Sequence, residues 1–207
     1  MGPRREITFP MFGDGIFTQE GAAWKHSREL LRPQFAHKQY DDLEVLRDAV
    51  DDLLDAIPES GGVVDLQLLF FRLTLDTTTA FLFGESVRRA PESTGERNFA
   101  DAFNTAQEYV AKRFRLLGLY WLIGGRKFHG ACANVHRFAD QIIEHNLSQK
   151  RDGTTDNNKY TFLDTVAQSF PDRNALRSQI INILVAGRDT TACLLSWTLY
   201  ISPQKYV

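Results

Sequence analysis

The sequence has 207 residues, of which 43% are hydrophobic and 24% are charged, and its formal net charge is −2 at pH 7. These values are ordinary for a globular protein with a sizeable core, and they give no reason to expect nucleic acid as a partner. The two cysteines, Cys132 and Cys193, are too few for a disulfide framework or a zinc site of the usual kind. No metal site built from the side chains of this sequence is therefore predicted.

The first half of the chain is predicted to be helical. Apolar residues recur every three or four positions over residues 40–57, with aspartates on the other faces, which is typical of an amphipathic helix. Before it, a short helix over residues 22–31 ends at Pro33, because proline disfavours the helical conformation in the residue that precedes it. After it, Asp65 is placed to cap a strongly apolar helix over residues 66–83.

The second half of the chain is also predicted to be helical. An apolar bend over residues 116–125 separates two of its helices, and this bend is either an access-channel wall or core. Asp172 follows Pro171 and is the predicted N-cap of a long final helix. No alternating strand pattern of useful length appears, so the class is mainly α, with residues 1–207 as one domain. The helices predicted in this half lie at 99–115, 127–150, 162–169 and 176–200.

The final helix has an unusual centre. Residues 180–197 are apolar on nearly every face, which predicts burial in a large core, and Arg188 with Asp189 disfavours a membrane span. Gly187 costs about 1 kcal/mol against alanine inside a helix. These residue types therefore indicate a site, in which Gly187 removes bulk and Asp189 with Thr190 supplies a donor–acceptor chain in a dry environment.

The sequence Ala-Gly-x-Asp-Thr-Thr at residues 186–191 resembles the oxygen-activation motif on the long central helix of cytochromes P450. The resemblance implies that Thr190 hydrogen-bonds the oxygen being activated and that Asp189 helps to deliver protons. It also implies that Ala186 and Gly187 leave room over a haem. The alternative is a buried helix bent by its glycine and threonines, with Asp189 paired to Arg188 or to another neighbour.

A second motif lies near the start of the chain. Trp24 and Arg28 are four residues apart, so they share one helical face and present an indole N–H beside a guanidinium fork. Such donors suit a carboxylate. The pair is similar to the one with which cytochromes P450 hold a haem propionate, and the resemblance implies this role for both residues. The alternative is a cation–π contact on an amphipathic helix.

Further segments resemble the fungal branch of this family that hydroxylates n-alkanes and fatty acids at the chain end. In this resemblance Phe17 corresponds to a position that faces the substrate above the haem, and ordinary core packing is the alternative. The segments that carry the resemblance are 13–17, 31–35, 64–67, 70–76 and 186–192.

The resemblance implies a partial cytochrome P450 fold, from the Trp–Arg helix through the long central helix. The N-terminal β region and the C-terminal half with the haem thiolate are expected to be missing. Neither Cys132 nor Cys193 is expected to replace the thiolate, because each is predicted to be a small buried hydrophobe. Without a thiolate the chain alone is expected to be inactive. Residues 201–207, with Pro203, are expected to be an atypical tail.

For the complete protein, the resemblance implies a haem cofactor, an apolar small-molecule substrate, O2 and an NADPH-dependent reductase. It also implies an endoplasmic reticulum location on the cytosolic face, through a membrane anchor. This chain is expected to lack both that anchor and a signal peptide. One alternative is a non-catalytic helical fragment that binds a partner or a lipid. Another is an unrelated helical bundle in which both motifs are coincidences.

Overall fold

The computed structural model describes residues 4–35, 44–59, 61–83, 96–151 and 162–202, and the elements in these ranges are helices. Short 3-10 turns occupy Arg32–Phe35 and Leu117–Leu122. No strand occurs in the described ranges, so the predicted mainly α class is confirmed. The α-helices are α1 (Arg4–Phe12), α2 (Gly21–Leu31), α3 (Glu44–Asp55), α4 (Leu66–Phe83), α5 (Glu96–Leu116), α6 (Gly125–Arg151), α7 (Phe162–Ser169) and α8 (Arg173–Ile201).

Helix α1 is a difference from the sequence pattern, which predicts its first helix at residue 22. The helix is short and contains Pro10, so its local signal is weak. It is held instead by contacts from residues more than one hundred positions away. Arg113 donates a hydrogen bond of 3.2 Å to the Glu6 carbonyl oxygen, and Met11 is fully buried, with its carbonyl oxygen 2.8 Å from Nε2 of His136. Packing rather than propensity therefore stabilises α1.

Helices α4 and α8 form the centre of the fold and pack closely against each other. Helix α4 is apolar along most of its length and buries Phe70, Leu75 and Leu82. Its buried threonines donate hydrogen bonds to backbone carbonyl oxygens of the same helix. For example, the Thr74 hydroxyl donates to the Phe70 carbonyl oxygen over 2.9 Å. Asp65 accepts a hydrogen bond of 3.0 Å from the Gln67 amide, in agreement with its predicted capping position.

Helices α5 and α6 pack side by side and carry an aromatic core. The rings of Phe99 and Phe138 stack with their centroids 4.0 Å apart, and Phe103 and Phe128 are fully buried. The 3-10 turn between these helices is different, because Trp121 is 64% exposed and three leucines beside it are more than half exposed. Core packing, one of the two readings of the apolar bend, is therefore wrong for this turn.

Helix α8 begins as predicted. Asp172 caps it by accepting hydrogen bonds of 3.3 and 3.2 Å from the amides of Asn174 and Ala175. Its first half is buried, but Leu194 is 66% exposed and Trp197 is 62% exposed. The second half is therefore exposed in this chain, and its burial in a larger core stays a prediction. The expected atypical tail lies outside the described residues from position 203 onward.

The cysteines also differ in their surroundings. Cys132 is buried on α6, whereas Cys193 is exposed on α8, so the prediction that both are buried is wrong for Cys193. Burial raises the pKa of the Cys132 thiol to about 12. Among the helices that the structure describes, none combines the length and the apolar character needed to cross a bilayer.

Candidate functional site

A cavity of about 670 Å³ lies between the α1–α2 loop (residues 13–20), the C-terminal end of α2, and helices α4 and α8. Its walls are mostly apolar, and two arginines at the end of α2 give it a cationic side. An apolar cavity with a few charged groups is the usual form of a small-molecule site. The residues that line it are Ile16, Phe17, Arg28, Leu31, Arg32, Phe35, Thr74, Thr77, Thr78, Phe81, Asn182, Ile183, Ala186, Gly187 and Thr191.

Phe17 reaches the cavity wall from the α1–α2 loop. Its side chain is 42% exposed, so the alternative of ordinary core packing does not describe it. The loop is fixed to α8 by the backbone, because the Phe17 amide donates a hydrogen bond of 2.8 Å to Oδ1 of Asn182. Helix α8 therefore determines where this phenyl ring lies.

Arg28 and Trp24 share one face of α2, as their spacing predicts. The guanidinium carbon of Arg28 lies 5.4 Å from the centroid of the Trp24 ring, so the cation–π contact given as the alternative is present. Arg28 also lines the cavity, and Arg32 joins it one turn later, while Trp24 is not among the lining residues. Two arginines, Arg28 and Arg32, therefore form the cationic side of the cavity, and the Trp24 indole packs against the guanidinium of Arg28.

The small residues of the central motif lie on the cavity wall. Ala186 and Gly187 both line it, and Gly187 faces Thr78 of α4 with no room for a Cβ atom between them. Thr191 lines the cavity as well. Thr190 points elsewhere and is exposed, and its hydroxyl donates a hydrogen bond of 2.7 Å to the Ala186 carbonyl oxygen. Thr190 is therefore exposed in this chain, and its dry environment stays a prediction for the whole protein.

Asp189 is held in a polar network that Arg188 organises. Arg188 is 2% exposed and donates hydrogen bonds to Asp189 over 3.1 Å, to Gln107 over 3.2 Å and to Asn104 over 2.6 Å. Gln107 also donates to the Asp189 carboxylate. Burial lowers the pKa of the Arg188 guanidinium, and the Asp189 carboxylate opposes this shift. The pairing of Asp189 with Arg188, given above as an alternative, is therefore present.

The structure thus brings Phe17, Arg28, Ala186 and Gly187 to one cavity, although the sequence separates the first from the last by 170 positions (187 − 17). Trp24, Asp189 and Thr190 lie within four positions of these residues in the sequence but are not among the lining residues. In the ranges that the structure describes, no group of three or more metal-binding side chains occurs.

The sequence pattern missed several residues at the site. Gln179 and Asn182 hold the α1–α2 loop, and Thr78 sets the distance between α4 and α8 at Gly187. The available signal was a pair of amide side chains three positions apart on a helix that is otherwise apolar. Two buried amides on such a helix require partners, and a segment with free backbone groups is the natural one.

Comparison with known proteins gives a family match over most of the chain. Residues 5–201 match the family model described as Cytochrome P450. A cytochrome P450 of Arthroderma benhamiae is 47% identical over 199 residues, which cover 93% of this chain and 40% of that protein. Cytochrome P450 52A4 of Candida maltosa is 42% identical over 212 residues, covering 97% of this chain and 39% of that protein. The chain therefore spans about 40% of the length of the curated relatives it matches.

Solved structures agree on the fold. The haem domain of cytochrome P450DA matches with a TM-score of 0.71 and 23% identity, covering 98% of this chain and 45% of that chain. A six-coordinated cytochrome P450 from Thermus thermophilus matches with a TM-score of 0.63 and 19% identity, covering 94% of this chain and 43% of that chain. At these identities the likeness concerns the fold alone. The partial fold predicted from the sequence is confirmed.

Proposed function

This chain belongs to the cytochrome P450 family, and from that premise we propose that it forms the haem-facing and substrate-facing part of a monooxygenase. The observation that carries the proposal is the cavity that Phe17, Arg28, Ala186 and Gly187 share. A cationic side, an apolar wall and a region of minimal side-chain bulk meet there. The whole protein would insert one oxygen atom from O2 into an apolar substrate.

The residues present fit a haem. Its two propionate carboxylates need cations, and Arg28 with Arg32 supplies two guanidinium groups on one side of the cavity. Its flat apolar ring needs a wall without projecting side chains, and Ala186 with Gly187 supplies one. When bound, this group supplies the redox chemistry that activates O2. Trp24 would stiffen Arg28 through the contact between their side chains.

The roles of Asp189 and Thr190 are to hold and move protons. The Thr190 hydroxyl donates a hydrogen bond to the Ala186 carbonyl oxygen, which leaves the hydroxyl oxygen able to accept a hydrogen bond from a donor on its other side. The Asp189 carboxylate accepts hydrogen bonds from Arg188 and Gln107, and its side chain remains 28% exposed. It can therefore receive protons from solvent while its position is fixed.

The cavity wall supports the proposed substrate class. Ile16, Phe17, Phe35, Phe81 and Ile183 give it an apolar surface, which suits a hydrocarbon chain. With the resemblance to the fungal branch, this supports hydroxylation of n-alkanes or fatty acids at the chain end. An NADPH-dependent reductase, a membrane anchor and an endoplasmic reticulum location are proposals for the whole protein.

The test uses the whole protein that contains this chain. It should bind haem, give the red-shifted Soret band of a thiolate complex with carbon monoxide after reduction, and hydroxylate dodecanoic acid. Arg28→Ala should lower the haem content, and Arg28→Lys should restore part of it, because lysine keeps the charge but loses the fork. The exposed Arg4, on α1 and away from the cavity, provides the control variant Arg4→Ala. Equal haem content in all four proteins would count against the assignment of Arg28.

A second candidate function is lipid binding without chemistry, and the apolar cavity itself favours it. In that case the 207-residue chain should bind a fluorescent fatty acid in the absence of haem. Phe17→Ala and Ile183→Ala should weaken this binding, while the whole protein gives no hydroxylated product. Product formation by the whole protein would exclude this candidate as the main function.

A further inference from the structure

Two amide side chains of α8 fasten the α1–α2 loop. The Ile16 amide donates a hydrogen bond of 3.0 Å to Oε1 of Gln179, and the Phe17 amide donates one of 2.8 Å to Oδ1 of Asn182. Gln179 and Asn182 are both fully buried. Consecutive backbone amides of the loop thus depend on side chains of one helix face rather than on secondary structure of their own.

The donor groups of both amides are used as well. Nδ2 of Asn182 donates to the carbonyl oxygens of Phe12 over 3.0 Å and Ser178 over 2.6 Å. Nε2 of Gln179 donates over 2.9 Å to the hydroxyl of Ser27 on α2, and this hydroxyl donates over 2.6 Å to Oε1 of Gln19. The network therefore joins the loop, α2 and α8, and it leaves neither amide with an unused end.

The loop also lies in direct contact with α8. A Cβ atom on Gly13 would come within 2.2 Å of the Ser178 hydroxyl oxygen, and one on Gly15 within 2.3 Å of Nδ2 of Asn182. Gly13 has a φ of +61°, a conformation that glycine adopts without strain. The backbone cannot approach α8 more closely, and it cannot move away without breaking the hydrogen bonds. The loop is therefore fixed in both directions.

This fixed loop lines the same cavity as Ala186 and Gly187, which form the wall assigned above to the haem. Asn182 lies one helical turn before Ala186, which corresponds to a rise of about 6 Å along the axis. Asn182 and Ala186 both line the cavity, as does the Phe17 ring on the loop that Asn182 holds. One side chain thus sets the distance between the Phe17 ring and the wall at Ala186 and Gly187.

We propose that Gln179 and Asn182 are positioning residues that keep Phe17 as a rigid wall and so determine which carbon of an apolar chain is hydroxylated. The inference rests on the proposed function, and neither residue needs to touch the substrate for it to hold. A rigid wall confines a chain to one depth in the cavity, whereas a loose loop lets several carbons reach the same place.

The experiment uses the whole haem-loaded protein with Asn182→Leu, Gln179→Leu and, as a control on the same helix, Ser196→Ala. Within the described part of the chain, the Ser196 hydroxyl donates a hydrogen bond to the Ala192 carbonyl oxygen of its own helix. Leucine removes the acceptor of the Phe17 amide at similar volume. Hydrogen exchange of the peptide that contains Ile16 and Phe17 is measured, together with the ratio of terminal to subterminal products from dodecanoic acid.

Asn182→Leu should exchange roughly tenfold faster in this peptide, as expected for the loss of one buried hydrogen bond. The terminal-to-subterminal ratio should fall by roughly tenfold as well. Gln179→Leu should move both quantities in the same direction, while Ser196→Ala stays near the unmodified protein. Gln179→Leu decides the matter if Asn182→Leu does not fold.

Faster exchange with an unchanged product ratio would overturn the positioning role, and unchanged exchange would overturn the fastening itself. Failure of the proposed function has a separate signature. In that case the unmodified protein forms no hydroxylated product, while the exchange measurement still reports on the two amides.

Discussion

A Cβ atom on Gly187 would lie 2.6 Å from the hydroxyl oxygen of Thr78 and 2.8 Å from its methyl carbon. Alanine normally stabilises a helix interior by about 1 kcal/mol relative to glycine. At this position the overlap with α4 should outweigh that gain, because overpacking costs about 1–3 kcal/mol. The closest approach of α4 and α8 therefore depends on the missing side chain of Gly187.

We expect Gly187→Ala to lower the free energy of unfolding, and Thr78→Ala in the same molecule to restore it. Removing the hydroxyl and methyl of Thr78 leaves only its Cβ, which is 3.3 Å from the new carbon. The helix propensity of alanine should then become visible as a gain over Thr78→Ala alone. A double-mutant cycle by thermal unfolding measures this coupling. Additive effects of the two substitutions would contradict it.

Arg188→Ala should be strongly destabilising. It removes a buried cation that Asp189, Gln107 and Asn104 surround, and it leaves their acceptors without that partner. Breaking a buried pair costs about 3–5 kcal/mol, and the partial exposure of Asp189 reduces this to about 2–3 kcal/mol. The control is Arg173→Ala, whose ion pair with Glu144 is roughly half exposed and should matter by less than about 1 kcal/mol. Chemical denaturation of the two variants should separate them clearly.

Acidification should destabilise the folded chain through His136, which is partly buried on α6. Burial lowers the pKa of its imidazole, and the hydrogen bond with the Met11 carbonyl oxygen opposes the shift only in part. The folded state therefore binds this proton less readily than the unfolded chain. The stability that His136 contributes is present above the unfolded pKa of about 6.5 and is lost as the pH falls through the lower folded pKa.

The free energy of unfolding should accordingly fall with decreasing pH more steeply in the unmodified protein than in His136→Gln. Arg177 and Asp140 are the charged groups that act on the His136 imidazole, and both are present in the two proteins. Parallel pH profiles would show that His136 does not titrate with folding.

The two cysteines should differ in reactivity with a maleimide at pH 7. Cys193 is exposed, whereas Cys132 is buried and the pKa of its thiol is raised to about 12. The thiolate is the reactive form and reagent must reach it, so Cys193 should react much faster than Cys132. Cys193→Ser should remove the fast reaction, and unfolding should expose the second thiol. Two fast thiols in the native protein would contradict the burial of Cys132.

The exposed end of α8 should make the 207-residue chain associate with itself. Leu194 and Trp197 lie on that end, and large exposed apolar patches promote association. Leu194→Gln with Trp197→Gln should shift light scattering toward smaller species. Leu68 on α4 is 63% exposed and has few exposed apolar neighbours on its helix, so Leu68→Gln is the control that should change little.

The helices could be predicted because their signals are local. Asp172 caps α8 through amides two and three positions ahead, and the amphipathic pattern follows the helical period. Helix α1 could not be predicted in this way, because its stability comes from Arg113 and His136 on distant helices. The second half of α8 shows the opposite case, in which an apolar pattern does not determine burial.

The site was predictable in part for the same reason. The motif around Gly187 and the pair formed by Trp24 and Arg28 are short sequence patterns with a known resemblance. The roles of Gln179 and Asn182 depend on a loop more than 160 positions earlier in the chain, at the separations recorded for their hydrogen bonds. A local sequence pattern cannot predict such a distant contact. An amide side chain on an apolar helix indicates only that a hydrogen-bond partner exists.

The close approach of the α1–α2 loop to α8 limits which substitutions evolution or protein design can introduce there. A larger residue at position 15 needs a shorter one at position 182, but a shorter residue at 182 no longer reaches the Phe17 amide. Neither position can change without loss, even when the other changes with it, so both residues should be retained across descendants of this chain. A protein engineer who transplants the loop into another scaffold must transplant the facing positions 178, 179 and 182 with it.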